Sequence, residues 1–160
     1  MLTRPRDDGQ VTLLVIGYVA IAAVLVLLAV DVSKVFLARR ALSSVADSAA
    51  LSAAQEIDRA AVYAGGAYGC GTNLPVDSDA ATTAAAQTVA DDGADLTRLF
   101  ATVDPPRTST EGGTARVALA GDVTVPFGRV IQLLLPGHPA TVRVSVAATA
   151  ASAVVAPAGC

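Results

Sequence analysis

Few residues of this 160-residue chain combine types and spacing that could support catalysis. His138 is the only histidine, and it lies in a turn-forming stretch between Pro136 and Pro139 without a plausible nucleophile. The glycines between residues 65 and 71 are not followed by Gly-Lys-Ser/Thr, so they do not match a phosphate-binding loop. No Gly-x-Ser-x-Gly nucleophile elbow occurs. The sequence therefore predicts a protein that is not an enzyme and uses no cofactor.

Two nearby carboxylates, Asp77 and Asp79, could be read as a pair of metal ligands. The same residues stand directly before an Ala- and Thr-rich stretch that is typical of a helix. Asp77 or Ser78 can cap such a helix, Asp79 is favourable in its first turn, and Gly93 can end it. We therefore interpret these carboxylates as a helix start and predict no metal site.

The two cysteines, Cys70 and Cys160, are the remaining reactive side chains. In an oxidising compartment they can form one intramolecular disulfide, which we predict. Two free thiols in a cytosolic domain, or an intermolecular bond through Cys160, are the alternatives. The cysteine pair favours, weakly, a domain outside the cytoplasm.

The amino-acid composition limits the kinds of partner that the protein can bind and the size of the side chains in its core. The net charge is −3 and only 4% of residues are aromatic, and no basic patch interleaved with aromatics occurs, so we predict no nucleic-acid binding. No small-molecule substrate is evident. Ala and Val supply most of the apolar side chains, and small side chains bury little area. We therefore expect a thin core.

An uncharged apolar run extends from Val11 to Val30. As a helix, these roughly 20 residues would cover about 30 Å, the thickness of a bilayer's hydrocarbon core. A signal peptide has an apolar region of about 7–15 residues followed by a small-residue cleavage site. Here Asp31 and Lys34 occupy that place. The run therefore predicts a permanent transmembrane helix rather than a cleaved signal.

Basic residues flank the run on both sides, so the positive-inside rule does not decide its orientation. We predict a cytoplasmic amino terminus, a location in the cell membrane, and lipid as one partner. The predicted division is a cytoplasmic segment at 1–10, a transmembrane helix at 11–30, a helical extension at 31–64 and a small extracytoplasmic α+β domain at 65–160.

The stretch from Asp31 to Ala64 contains neither Pro nor Gly, and we predict one continuous helix through it. Small and apolar residues recur there at alternating spacings of three and four, as in a coiled coil. This seam consists of Val35, Ala38, Leu42, Val45, Ala49 and Ser52. It can pack on the chain's own domain, or it can also pack against other subunits.

Three later stretches alternate apolar and polar side chains with a period of two, which is typical of an antiparallel sheet covered on one face. They comprise Leu99, Ala101 and Val103; Val117, Leu119, Val123 and Val125; and Val142, Val144 and Val146. "DPPRTSTEGG" and "LPGHP" are the predicted turns. "PFGRVIQLLLPG" is either a helical turn closing the core or an exposed patch for a partner or the membrane.

These patterns predict an α+β fold. A long amino-terminal helix, transmembrane and continuing outside the membrane, is expected to pack with a short helix and a small three-stranded antiparallel sheet.

The segment "DDGQVTLLVIGYVAIAAVLVLLAVDVSKVFLARRALSSVADSAALSAA" resembles the amino-terminal part of TadG/TadE-like proteins of the Tad (Flp) pilus-assembly system. Besides Gly9 before the apolar run, the residues that carry the resemblance are Asp31, Arg39, Arg40, Ala46, Asp47, Ala49, Ala50 and Leu51. The resemblance implies a structural protein that supports pilus or secretion-machine assembly through helix packing with other Tad membrane proteins. An anchored extracytoplasmic sensor or adhesin-type module, unrelated to pili, is the alternative.

Gly9 and Gln10 mark a possible processing site, because pilin-like subunits are cut after a glycine. Such subunits carry Glu at the fifth mature position, where this chain has Leu14. The resemblance therefore implies an unprocessed accessory protein rather than a major pilin.

Overall fold

The computed structural model describes residues 8–65, 72–134, 137 and 140–153. Its elements in chain order are α1 (Asp8–Gln55), α2 (Arg59–Gly65), α3 (Ser78–Asp91), α4 (Gly93–Leu99), β1 (Thr102–Val103), β2 (Arg107–Glu111), β3 (Thr114–Thr124), α5 (Pro126–Leu134) and β4 (Thr141–Ala151). A long apolar helix, short helices and a small antiparallel sheet confirm the predicted α+β class. Cys70, His138 and Cys160 lie outside the described residues.

Helix α1 has 48 residues and is therefore about 72 Å long. Its first half is the apolar run, and its second half lies against β3, β4 and α3. β4 runs beside α1 in the same direction. Val142 at its start shares a groove with Phe36, and Ala151 at its end shares another with Leu51. One helix thus forms both the apolar run and one layer of the folded domain.

The predicted continuous helix over residues 31–64 is wrong at its end, because α1 stops at Gln55 and α2 begins at Arg59. The backbone N–H of Asp58 donates to the carbonyl of Pro75 (2.9 Å). The Asp58 carboxylate accepts from the N–H of Ala61 (2.9 Å) and caps the new helix. Helix α1 therefore ends where the chain forms a hydrogen bond to a distant segment, although no Gly or Pro occurs near the break.

The sheet has four strands rather than the three predicted. β3 lies at its centre and pairs with β4 along its whole length. On its other side, β2 pairs with the first part of β3 and β1 with the last part. Pro105 and Pro106 stand between β1 and β2, and Pro has no N–H for a ladder bond, so this edge is divided in two.

The predicted turn "DPPRTSTEGG" is wrong over half of its length, because it contains β2. The actual turn has two residues, Gly112 and Gly113, between the paired Glu111 and Thr114. Their φ angles of 56° and 76° match a type I′ hairpin, which requires positive φ at both positions. The first predicted strand is also shorter than expected, since Leu99 ends α4 and only Thr102–Val103 is paired.

Helix α3 begins where the acidic pair predicts it. The Asp77 carboxylate accepts hydrogen bonds from the N–H groups of Asp79 (3.0 Å) and Ala80 (3.1 Å). Gly93 does not end this helix as predicted. It is the first residue of α4, and Asp92 caps the end of α3.

The core lies between α1, α3 and the inner face of the sheet, and more than half of its buried residues are alanines. Its largest fully buried side chains are Leu42, Leu119, Val117 and Val123. Phe100 closes one end, where a Cβ on Gly121 would lie only 2.7 Å from the Phe100 ring. Because the side chains are small, the layers approach closely and each side chain contributes little buried area.

Candidate membrane anchor and helix-packing surface

The apolar run of α1 is exposed along its length. Among the described residues, one helix, near the amino terminus, is long and apolar enough by length and composition to cross a membrane. None of its most apolar window is buried against the rest of the chain. A fully exposed apolar surface of this size is costly in water, so it indicates an apolar environment around residues 11–30.

Gly9 and Gln10 lie in the first turn of α1, which begins at Asp8. Leu14, which would be the fifth residue after cleavage, is an exposed residue of the same helix. Cleavage after Gly9 stays a prediction.

Asp31 is the first charged residue after the apolar run and joins it to the domain. Its Oδ2 atom accepts a hydrogen bond from the backbone N–H of Phe127 (3.0 Å), in the first turn of α5. A carboxylate is favourable there because the first N–H groups of a helix lack partners and carry partial positive charge. Asp31 Oδ1 is buried and has no hydrogen-bond partner among the described residues.

The predicted seam faces the chain's own core in this structure. Ala38, Leu42, Val45 and Ala49 are buried, and Val35 packs at the edge of the core. Ser52 is partly buried, and its hydroxyl accepts a hydrogen bond from Thr88 of α3 (3.0 Å). In this structure the seam therefore packs on the chain's own domain.

The other family-pattern residues are divided between two faces of α1. Ala46 and Ala50 are buried beside Ala49. Arg39, Arg40, Asp47 and Leu51 are exposed. The "ADSAALSAA" pattern thus supplies both core contacts and part of an outer surface.

Sequence reasoning missed a second seam on the opposite side of α1, which we call the outward strip. It consists of Leu37, Arg40, Ser44, Asp47, Ser48, Leu51 and Gln55, all exposed. Spacings of three and four place these residues on one face of the helix. Leu51 is 58% exposed. Five of the seven residues of the strip are polar, so a hydrophobic-periodicity criterion alone does not find it.

The described residues contain no group of three His, Cys, Asp or Glu side chains that could hold a metal ion. The clearest charged cluster is exposed on the sheet, where Arg143 pairs with Asp104 and lies 3.6 Å from Asp122. Such exposed pairs contribute little to stability and form no reactive arrangement.

A comparison with protein-family models matches residues 9–56 to the family described as putative Flp pilus-assembly TadE/G-like. The match begins and ends within about one residue of α1, so it covers the long helix and not the sheet. Comparisons with curated proteins and with solved structures give no match. The predicted resemblance is confirmed over residues 9–56, where the chain is similar to the family described as putative Flp pilus-assembly TadE/G-like.

Proposed function

We propose that this protein is a single-pass, membrane-anchored structural component that supports assembly of a Tad (Flp) pilus or secretion machine. Its α1 helix anchors it and packs against other Tad membrane proteins. The amino terminus is cytoplasmic and the α+β domain lies outside the cytoplasm. Gly9 remains uncut in this proposal, so the chain acts beside the filament rather than within it.

The extent of the family match supports this proposal most directly. The match is confined to α1, the element that combines an exposed apolar run with the outward strip. The seam residues Ala38, Leu42, Val45 and Ala49 are occupied by the chain's own core. Contacts with other subunits are therefore assigned to the apolar run and to the outward strip.

Crosslinking in intact cells tests the proposal. A photo-crosslinking amino acid at Ser44 or Leu51, both on the outward strip, is expected to capture another Tad membrane protein. The matched control is the same amino acid at Ser145, an exposed residue of β4 on the sheet face away from α1. Capture from Ser145 alone, or no capture of any Tad protein from Ser44 and Leu51, would contradict assembly through helix packing.

The sheet supports the alternative function, an anchored sensor or adhesin-type binding module. Its face away from α1 carries a groove of about 440 Å³, lined by residues that include Pro105, Arg107 and Ala118. A ligand-binding module would use this face rather than α1. Crosslinks from Ser145 to a protein outside the Tad system would favour this second function.

A further inference from the structure

One end of the domain lies where α1 leaves its apolar run. If residues 11–30 fill the hydrocarbon core, the boundary of that core falls next to Asp31. Asp31 is bonded to Phe127, so the start of α5 lies at the same level. Val123 of β3 is paired with Val142 of β4 near this end of the sheet. These elements form the membrane-proximal end of the domain.

An apolar groove of about 410 Å³ opens at this end, between α1 and the sheet. Its lining is Asp31, Val32, Val35, Phe36, Arg39, Val125 and Val142, and we call it the membrane-edge groove. Val32 and Phe36 are each 63% exposed, and Val142 is 40% exposed. Their apolar surface continues that of the preceding run, so both surfaces require the same kind of environment.

Positive charge borders the groove. Arg39 lines it and lies about 12 Å beyond Asp31 along the helix axis. Side chains of an α-helix point toward its amino terminus, so Arg39 points back toward the apolar run and can lay its aliphatic part over the groove. Lys34 lines a different groove, of about 400 Å³, together with Arg98 and Leu99 of α4.

Two carboxylates lie near these cations. Asp31 lines the same groove at the end next to the apolar run and directs Oδ2 at the N–H of Phe127. Asp95 lies 3.3 Å from Arg98 in an exposed pair. Arg39, which lines the groove, belongs to none of the ion pairs between described residues.

We propose that the membrane-edge groove is seated on the bilayer and takes anionic phospholipids of the adjacent leaflet. The upper acyl segment lies against Val32, Phe36 and Val142, and the lipid phosphate binds Arg39. Arginine presents several N–H donors in a planar fork that suits a phosphate. This proposal rests on the membrane anchoring in the proposed function.

Continuity with the apolar run and the presence of Arg39 in the groove lining both favour lipid over a second protein. An exposed surface next to the membrane boundary meets lipid at all times, whereas a protein partner would first have to displace it. Basic side chains at this height complement the negative charge of anionic headgroups.

Single tryptophans in the full chain test the position of the groove, because the native sequence contains no Trp. Three variants, Phe36→Trp, Leu25→Trp and Tyr63→Trp, report on the groove, the apolar run and the exposed far end of the domain. Each is reconstituted at one chain per lipid nanodisc. Phosphatidylcholine brominated near the top of its acyl chains is expected to quench Phe36→Trp. Aqueous iodide is expected to quench Tyr63→Trp instead.

A second reporter, Val142→Trp on the β4 side of the groove, covers the case in which Phe36→Trp fails to fold. Quenching of the groove reporters by iodide and not by brominated lipid would overturn the proposal. A second copy of the chain as occupant would give shielding that appears only at high protein density, which also overturns it. If Leu25→Trp escapes lipid quenching, the anchoring itself fails, whereas failure of the groove reporters alone leaves the anchor intact.

The charge requirement has its own measurement. Brominated phosphatidylglycerol, diluted into phosphatidylcholine, is expected to quench Phe36→Trp more than brominated phosphatidylcholine at the same mole fraction. One arginine near a charged surface corresponds to an enrichment of about five-fold, and Arg39→Gln should remove it. Arg116→Gln, an exposed β3 position away from the groove, is the control and should retain it. Equal quenching by the two lipids, or an unchanged preference in Arg39→Gln, would refute anionic lipid binding.

Discussion

The Asp31 Oδ2 atom on α1 lies 3.0 Å from the backbone nitrogen of Phe127, 96 residues later in the chain. This hydrogen bond joins the end of the apolar run to the start of α5. It therefore fixes the domain to the end of the apolar run, in addition to the packing of α1 on the sheet.

Replacing Asp31 by Ala removes the acceptor for the Phe127 N–H. We expect a loss of about 1–2 kcal/mol in the free energy of unfolding, because a hydrogen bond to a charged group is lost while one buried, unpaired oxygen is also removed. Asp47→Ala, at an exposed position of the same helix, should change stability by less than about 0.5 kcal/mol. Denaturant unfolding of the detergent-solubilised protein, followed by circular dichroism, measures both. Equal losses in the two variants would show that the Asp31 bond is not responsible.

Because the core is thin, we expect valine substitutions at two neighbouring residues of α3 to differ strongly in their effect on stability. Ala85 is fully buried and Ala86 is exposed. Ala85→Val should destabilise by about 1–3 kcal/mol, because extra methyl groups have no space between α1 and α3. Ala86→Val should lower the free energy of unfolding by less than about 0.7 kcal/mol, because valine has a lower helix propensity than alanine. Ala85→Val carries the same propensity cost. The same denaturant measurement compares them, and similar midpoints would contradict close packing at Ala85.

An internal disulfide between Cys70 and Cys160 remains a prediction, and two contacts among the described residues support it. Asn73 and Ala153 are bridge partners, and the N–H of Leu74 donates to the carbonyl of Ser152 (2.8 Å). Asn73, three residues after Cys70, therefore lies beside Ala153, seven residues before Cys160.

The bond would close a loop of about 90 residues and stabilise by roughly 4–5 kcal/mol in the chain-entropy model. Thiol labelling of the purified protein should find no free thiol before reduction. Cys70→Ser and Cys160→Ser should each expose one thiol and lower the unfolding midpoint. Two labelled thiols in the native chain, or a reducible dimer on electrophoresis, would exclude the internal bond.

The proposed topology predicts protease sensitivity from outside the cell. Protease added to intact spheroplasts should digest the α+β domain and leave a fragment containing residues 11–30, because the bilayer shields the apolar run. A cytoplasmic protein probed in the same sample should remain intact. Protection of the domain until the membrane is lysed would reverse the orientation.

Strong periodicity accounts for the parts of the fold that sequence reasoning predicted. The apolar run, α3 with its Asp77 cap, and strands β3 and β4 all carry clear patterns. β2 was missed because "RTSTE" is an edge strand of polar residues with no apolar alternation. The break after Gln55 was missed because it depends on a bond from Asp58 to Pro75, which local sequence does not encode.

The candidate surfaces were predicted only in part. Ala38, Leu42 and Ala49 of the predicted seam are buried in the chain's own core, and spacing alone does not identify what covers that face. The membrane-edge groove joins Phe36 to Val142 across more than a hundred residues of chain, so only the folded arrangement reveals it.

Because α1 runs without interruption from the apolar run into the domain, the two are fixed in helical phase as well as in distance. Each residue inserted between Val30 and Val35 would turn the apolar run by about 100° relative to the sheet and lengthen the rod by about 1.5 Å. Seven inserted residues would nearly restore the angle, to within about 20°. A single insertion would therefore rotate the apolar run relative to the outward strip. A neighbouring protein that contacts both surfaces would no longer find them on the same side of the helix.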